Sequence, residues 1–184
     1  VLLGHSMGGA VAARFVAQGM VQDRSVPSWY RRIDGLVLSS PALDLGLKAP
    51  QRALVGVMSS LAPDTPLSNG LDPAWISRDP AVVAAYRKDP LVHDRVTARL
   101  VKFMLDSGEL VREQAAVWSV PTLLMWGEDD RCVSPRGSAA FAAEAPSAFV
   151  SSQAFAGFAH EVFNEPARDK PVATMMRWLA EQYR

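Results

Sequence analysis

The chain opens with Val1-Leu2-Leu3-Gly4-His5-Ser6-Met7-Gly8-Gly9-Ala10, and the reading of this stretch decides the fold. Three β-prone apolar residues stop at Gly4, and from Gly8 onward small and apolar residues recur at helical spacing: Ala12, Phe15, Val16 and Gly19. A change of hydrophobic period across glycines predicts strand, tight turn, helix. Within the turn, Gly4-His5-Ser6-Met7-Gly8 has the spacing G-x-S-x-G. That spacing has a steric reason. A serine on a sharp strand-to-helix turn is held in a strained backbone conformation, and glycines two residues to either side are expected to avoid clashes of Cβ atoms with the adjoining strand and helix. The hydroxyl then stands clear of the backbone at the positive end of the helix, where the Met7 N–H points at a developing oxyanion. Composition alone would produce the pattern in such a chain about once in twenty, so the flanking strand and helix carry the weight.

Working outward, Gly35–Ser39 reads as a second buried strand, short, apolar and ended by Pro41. Val120–Trp126 repeats that form with Gly127 as its stop, and Ala148–Phe155 is a fourth candidate. Helical patterns follow the third strand at Pro135–Ala145 and close the chain at Pro166–Arg184, where Val172, Met175, Met176 and Leu179 form one face. Strands alternating with helices predict an α/β fold with a mostly parallel sheet covered on both sides. Between Pro41 and Val120 the rhythm breaks: about eighty residues lack a convincing strand and carry helical stretches near Gln51–Leu61, Pro80–Lys88 and Arg95–Gln114. An insertion of that length between sheet strands reads as a helical cap or lid at about residues 44–116 of a single domain spanning 1–184.

Composition removes several function classes. The 184 residues are about half hydrophobic and carry 19 basic and 19 acidic side chains, which suits a globular domain with a proper core and leaves no electrostatic footprint for nucleic acid. The apolar first twenty residues contain His5, Arg14, Gln18 and four glycines, which argues against a bilayer span. No signal-peptide pattern is present, and the lone Cys132 excludes an internal disulfide, so a reducing cytoplasm is the expected location, with peripheral membrane contact as the other expectation. The first residue is Val, inside an apolar strand-like run, which reads as a piece whose N-terminal strands are missing. The strand bearing Ser6 would then present an unpaired edge. The residues imply no cofactor and no metal, and they give no oligomeric state.

A serine hydroxyl needs a histidine to take its proton and a carboxylate to orient that histidine. On a parallel sheet the chain order is Ser, then Asp or Glu, then His. Of the three histidines, His5 adjoins Ser6 and should point away from the hydroxyl, packing or hydrogen bonding near the oxyanion site. His93 lies inside the proposed cap, before the third strand, where chain order disfavours it. His160 follows the last strand candidate, where a loop brings an imidazole to the carboxyl edge of the sheet. The carboxylate should come from the loop after the third strand, where Glu128, Asp129 and Asp130 compete.

These residues resemble the α/β-hydrolase fold family, in its monoacylglycerol lipase and lysophospholipase-like branch, also called serine aminopeptidase-like. GHSMGG at 4–9 resembles that branch's nucleophile elbow, LVLSSPAL at 36–43 its following strand, and DPLVH at 89–93 a segment at the end of its cap. PTLLMWGEDDRCVSP at 121–135 resembles its acid loop and HEVFNEPAR at 160–168 its histidine loop. In the family's G-x-x-D acid loop the aspartate is the third residue after the glycine, so the resemblance implies Asp130, with Asp129 as the alternative. It also implies earlier strands and a His-Gly loop that supplies a second oxyanion donor, neither of which this chain contains.

The expectation is therefore a serine carboxylic-ester hydrolase with Ser6 as nucleophile, His160 as base, Asp130 as its orienting acid and the Met7 N–H as one oxyanion donor. The expected substrate is a small-molecule ester of single-chain lipid type. Apolar cap residues Leu54, Val57, Met58 and Leu61 either face an acyl chain or pack on the cap's own core. The cap shows no cluster of acidic residues to hold a peptide's amino group, and Cys132 has the character of buried filler. A peptidase, a small-ester hydrolase or a non-catalytic ligand-binding homologue are the alternative readings.

Overall fold

In a computed structural model, which describes residues 1–20 and 28–183, four parallel strands form the sheet. They are β1 (Leu2–His5), β2 (Leu36–Ser39), β5 (Thr122–Gly127) and β6 (Val150–Phe155), side by side in the order β1-β2-β5-β6. Each register pairs one strand start with the next: Leu2 faces Leu36, Leu36 faces Thr122 and Thr122 faces Val150. The four strands start in line and β5 and β6 run two residues further than β1 and β2, so the loops at their carboxyl ends share one rim.

The apolar runs of β2 and β5 are buried because both faces of the sheet are covered there, whereas Leu2 and Leu3 of the edge strand β1 are exposed. Leu36, Leu38, Leu124 and Trp126 point to one side, against Ala12, Ala13, Val16 and Ala17 of α1 (Ser6–Met20), Val111 of α4 (Ala98–Glu113) and Phe141 of α5 (Pro135–Glu144). Val37, Leu123 and Met125 point to the other, against Phe158, Val162 and Trp178 of α6 (Asp169–Gln182). The period-two alternation of a strand thus feeds two separate cores. The alanines of α1 let its backbone lie close to the strands. Burying the larger side chains contributes about 1.5–3 kcal/mol each.

Several boundaries differ from the sequence reading. The final helix begins at Asp169, not Pro166, and Arg184 lies outside the described residues. Its buried face is Pro171 and Trp178 with Met175 and Leu179 beside them, whereas Val172 and Met176 are exposed. The indole needs the deepest position, and it sets the helix's rotation. Between β2 and β5 lie α2 (Ala49–Leu61) and α3 (Pro80–Lys88), where helical stretches were expected, and an antiparallel pair the periodicity hid, β3 (Pro66–Ser68) with β4 (Arg95–Thr97). Three-residue strands are too short to show alternation. Residues 95–97 are therefore strand, not helix, and α4 starts where the Thr97 side chain accepts the Leu100 N–H. The C-terminal half of α4 belongs to the main core through Val111.

Candidate active site

The turn between β1 and α1 has no spare residue: β1 ends at His5 and α1 begins at Ser6. Ser6 has φ of 53°, the left-handed region that a residue with a Cβ rarely adopts. Glycine at position 4 is required, because a Cβ there would come 2.6 Å from the Gly8 carbonyl oxygen and 2.8 Å from the Gly9 Cα. The expectation for Gly8 is not met: nothing lies within 4 Å of where its Cβ would be. Gly8 faces the open pocket, and it is Gly9 that is crowded, by Pro41 at 2.8 Å. As an early residue of α1, Met7 has an N–H with no partner inside the helix.

The structure brings Ser6, Asp130 and His160 together. His160 Nε2 lies 2.8 Å from the Ser6 Oγ and His160 Nδ1 lies 2.7 Å from the Asp130 Oδ2. A carboxylate can only accept, so Nδ1–H donates to it, and Nε2 is left as acceptor towards the serine hydroxyl. Asp130 is held in turn: its Oδ1 accepts the N–H groups of Cys132 at 2.8 Å and Val133 at 3.1 Å. Among the competing acids, Asp129 is exposed and its N–H donates to the Phe158 carbonyl, while Glu128 donates its N–H to Phe155. The two backbones tie the acid loop to the end of β6 and to the loop that follows it, and neither carboxylate hydrogen bonds to His160.

His5 Nδ1–H donates to the Ser39 carbonyl at 3.0 Å, with the Ser39 hydroxyl 3.1 Å away, and its ring lies 4.8 Å from that of His160. Burial, reinforced by the neighbouring His160, holds its pKa below the ordinary value, so a neutral imidazole packs behind His160. The buried loop after β2 backs the serine turn, with the Ala42 N–H donating to the Ser6 carbonyl at 2.9 Å.

Above Ser6 opens a cavity of about 510 Å³. Its floor includes His5, Ser6 and Met7, and its roof comes from the insertion, including Leu71, Ile76, Tyr86 and Val92. The roof is less apolar than expected. Asp72, Arg87, His93 and Asp94 also line it, as does Glu161 beside His160. The insertion's carboxylates are not free: Asp72 caps the Ala74 N–H and lies 3.8 Å from Arg87, and Asp94 pairs with Arg95 at 3.2 Å. Of the four apolar residues of α2, none lines the cavity, and Leu54, Val57 and Leu61 are 61%, 54% and 79% exposed, which corrects both readings for them, while Met58 is half-buried. His93 is on the cavity wall, its Nδ1 accepting the Arg95 N–H, away from Ser6's hydrogen-bonded chain. A larger hollow of about 850 Å³ lies at the opposite, amino end of the strands, around Tyr30, Arg32 and Asp34, with no serine–histidine pair.

Asp130, Cys132 and His160 also place three metal-type donors within 4.8 Å of one another. The donor set fits a metal poorly. Both His160 nitrogens are engaged, and burial, with Asp130 second, pushes the Cys132 thiol up to about 12, so a thiolate ligand would be costly. Sequence reasoning missed the polar cavity wall and the backbone ties between loops, because neither leaves a periodicity or a motif.

The chain is similar in sequence and fold to known proteins. The chain is 33% identical over 182 residues to a monoacylglycerol lipase of Mycolicibacterium smegmatis, covering 97% of this chain and 61% of that protein. It is 33% identical over 187 residues to a phospholipase, YtpA, of Bacillus subtilis, covering 99% of this chain and 68% of that protein. The crystal structure of a Paleococcus ferrophilus monoacylglycerol lipase superposes with a TM-score of 0.86 at 32% identity, covering 98% of this chain and 68% of that one. The chain thus spans only part of its relatives' length, 61% to 68% of these three proteins. Among the described residues, no helix is long and apolar enough to cross a membrane. With its sheet, its serine turn and residues 1–167 matching the family model described as serine aminopeptidase, S33, the chain belongs to that family of α/β-hydrolases.

Proposed function

We propose that the protein is a serine hydrolase of single-chain lipid esters, monoacylglycerols or lysophospholipids, acting through an acyl-enzyme. The observation that carries this reading is the continuous hydrogen-bonded chain from Asp130 through His160 to Ser6, ending at the floor of a cavity. In this mechanism Ser6 Oγ attacks the ester carbonyl while His160 Nε2 takes its proton, and the Asp130 carboxylate stabilises the imidazolium. The Met7 N–H donates to the oxyanion of the tetrahedral intermediate. His160 returns the proton to the leaving alcohol, and water then cleaves the acyl-enzyme by the same route.

The relatives described as lipases and a phospholipase support the lipid ester class. Residues of about 44–116 act as the cap: Leu71, Ile76, Tyr86 and Val92 supply its apolar contacts over Ser6, and the inner part of α4 anchors it to the main core. A cavity of about 510 Å³ is of small-molecule size. A peptidase is the second reading, favoured by Glu161, a carboxylate on the cavity wall beside His160 that among the described residues accepts only the Asn164 side-chain amide and would meet an amino group there.

The test is turnover of p-nitrophenyl esters of rising chain length against aminoacyl-naphthylamides, with fluorophosphonate labelling of Ser6. Each buried methylene contributes about 0.8 kcal/mol, roughly a fourfold preference if expressed in the transition state. Octanoyl esters should exceed acetyl esters in kcat/KM by at least about a hundredfold. A flat profile points to a small-ester hydrolase, faster cleavage of the amides to a peptidase, and labelling elsewhere than Ser6 removes the proposed nucleophile.

A further inference from the structure

The insertion touches the histidine loop directly. Residues 76–79 run beside residues 158–165 and are joined to them by four hydrogen bonds. The Glu161 N–H donates to the Ile76 carbonyl at 2.7 Å, and the Ser77 hydroxyl donates to the Asn164 carbonyl at 2.9 Å. The Glu165 carboxylate accepts the Arg78 N–H at 2.8 Å on one oxygen and Arg78 Nε–H at 2.7 Å on the other. Ser77 also accepts the Asp79 N–H at 3.0 Å, fixing the turn that leads into α3. The Arg78 guanidinium lies 5.6 Å from the centre of the Phe158 ring, two residues before His160.

The two partners of the ion pair are unequally buried: the Glu165 side chain is 0% exposed and that of Arg78 is 50% exposed. A fully buried carboxylate gains little net stability from a half-solvated arginine, because desolvation offsets most of the attraction. Its geometry is specific, however, since both oxygens reach the same residue, one through the backbone and one through the side chain. The opposite side of the loop is fixed by the acid loop, where the Asp129 N–H donates to the Phe158 carbonyl at 3.0 Å. His160 thus hangs between two grips. One belongs to the sheet and the other to the insertion.

We infer that Glu165 and Arg78 are a positioning pair: they hold the histidine loop so that the His160 imidazole stays in line between Asp130 and Ser6. The insertion then takes part in the chemistry by placing the base, in addition to roofing the cavity. This inference rests on the reading of His160 as general base. Losing the pair should leave substrate binding nearly intact and slow the chemical step, because a displacement of about 1 Å at a reacting group costs up to about a hundredfold.

The experiment measures kcat, KM and Tm in the full-length protein for Glu165→Gln, for the double variant Arg78→Leu with Glu165→Met, for Ser77→Ala and for His160→Ala. Arg99→Gln is the control, since it breaks only the exposed Arg99–Asp64 pair of the insertion. The double variant leaves no orphaned charge, only the Arg78 N–H without its acceptor, and should keep the fold even if Glu165→Gln does not. The expected result is a fall in kcat of about tenfold or more with KM within about threefold, in double-variant protein whose Tm stays near that of the parent. The downfield proton resonance of His160 Nδ1–H should broaden or shift in the same protein. Ser77→Ala should lower kcat less, in the same direction, and Arg99→Gln should leave it unchanged. A double variant, or Ser77→Ala if the double variant does not accumulate, with kcat within about twofold of the parent and an unmoved resonance overturns the inference. Activity surviving in His160→Ala overturns the mechanism itself, so the two failures are separable.

Discussion

Replacing Asp130 by Asn changes one atom and should remove nearly all activity without unfolding the protein. The Oδ1 of Asp130 accepts the Cys132 and Val133 N–H groups at 2.8 and 3.1 Å. An asparagine keeps its carbonyl oxygen on those two donors, which puts its NH₂ where Oδ2 now faces His160 Nδ1 at 2.7 Å. Donor would meet donor unless the imidazole moves its proton to Nε2. That tautomer satisfies the buried amide, but its Nε2–H then points at the Ser6 Oγ, 2.8 Å away, and no base remains. The wrong tautomer costs about four orders of magnitude in kcat, or roughly 5.5 kcal/mol. Because the number of buried hydrogen bonds is conserved, stability should change by about 1 kcal/mol or less. The assay is kcat/KM on p-nitrophenyl octanoate beside a thermal melt, with Asp129→Asn as the companion. Asp129 contributes its N–H, not its carboxylate, to the loop contacts, so that variant should be mild. Asp130→Asn within about tenfold of the parent would refute the reasoning, and the reverse ranking would move the role to Asp129.

Gly127→Ala should disable the site through the backbone, since its Cβ would lie 2.2 Å from the Ala159 carbonyl oxygen and 2.3 Å from that of Phe158. The histidine loop must move, at a cost of about 1–3 kcal/mol or more, read as a lower Tm and lost fluorophosphonate labelling. Burial lowers the His5 pKa below its ordinary 6.5, so the unfolded chain binds more protons than the folded protein as the pH falls under that value, and stability held above it is lost on acidification. His5→Gln, which can still donate to Ser39, should flatten that acid limb in melts taken between neutrality and acid pH; an unchanged slope would remove His5 as its source. With its thiol pushed up to about 12 by burial, Cys132 should react with iodoacetamide at neutral pH much more slowly than a free thiol, and fast alkylation of folded protein would contradict that environment.

The sequence by itself determined the elements that depend on local pattern. Gly4-His5-Ser6-Met7-Gly8 between an apolar run and a small-residue helix predicts the turn, and β1, β2 and β5 were legible as short apolar runs, while β6, with Ser151, Ser152 and Gln153 at its centre, was only a candidate. His160 and the acidic stretch 128–130 stood out because chain order leaves few candidates. Tertiary structure decided what local pattern does not contain. Among Glu128, Asp129 and Asp130 the residues themselves left three choices, and only packing against the histidine loop turns one carboxylate towards His160 Nδ1. The short pair β3–β4 exists because each strand has a partner, not because its sequence alternates. The exposed ridge of α2 and the polar cavity wall likewise follow from how the insertion folds back over the sheet. Glu165 lies in a charged and proline-bearing loop whose own residues give no reason for its burial. It is buried because Arg78, 87 positions earlier, meets it across the molecule. Hydrophobic period and turn chemistry act between neighbours in the chain. Partner choice between distant polar groups is settled only when the fold has brought them within hydrogen-bonding distance and removed the water between them.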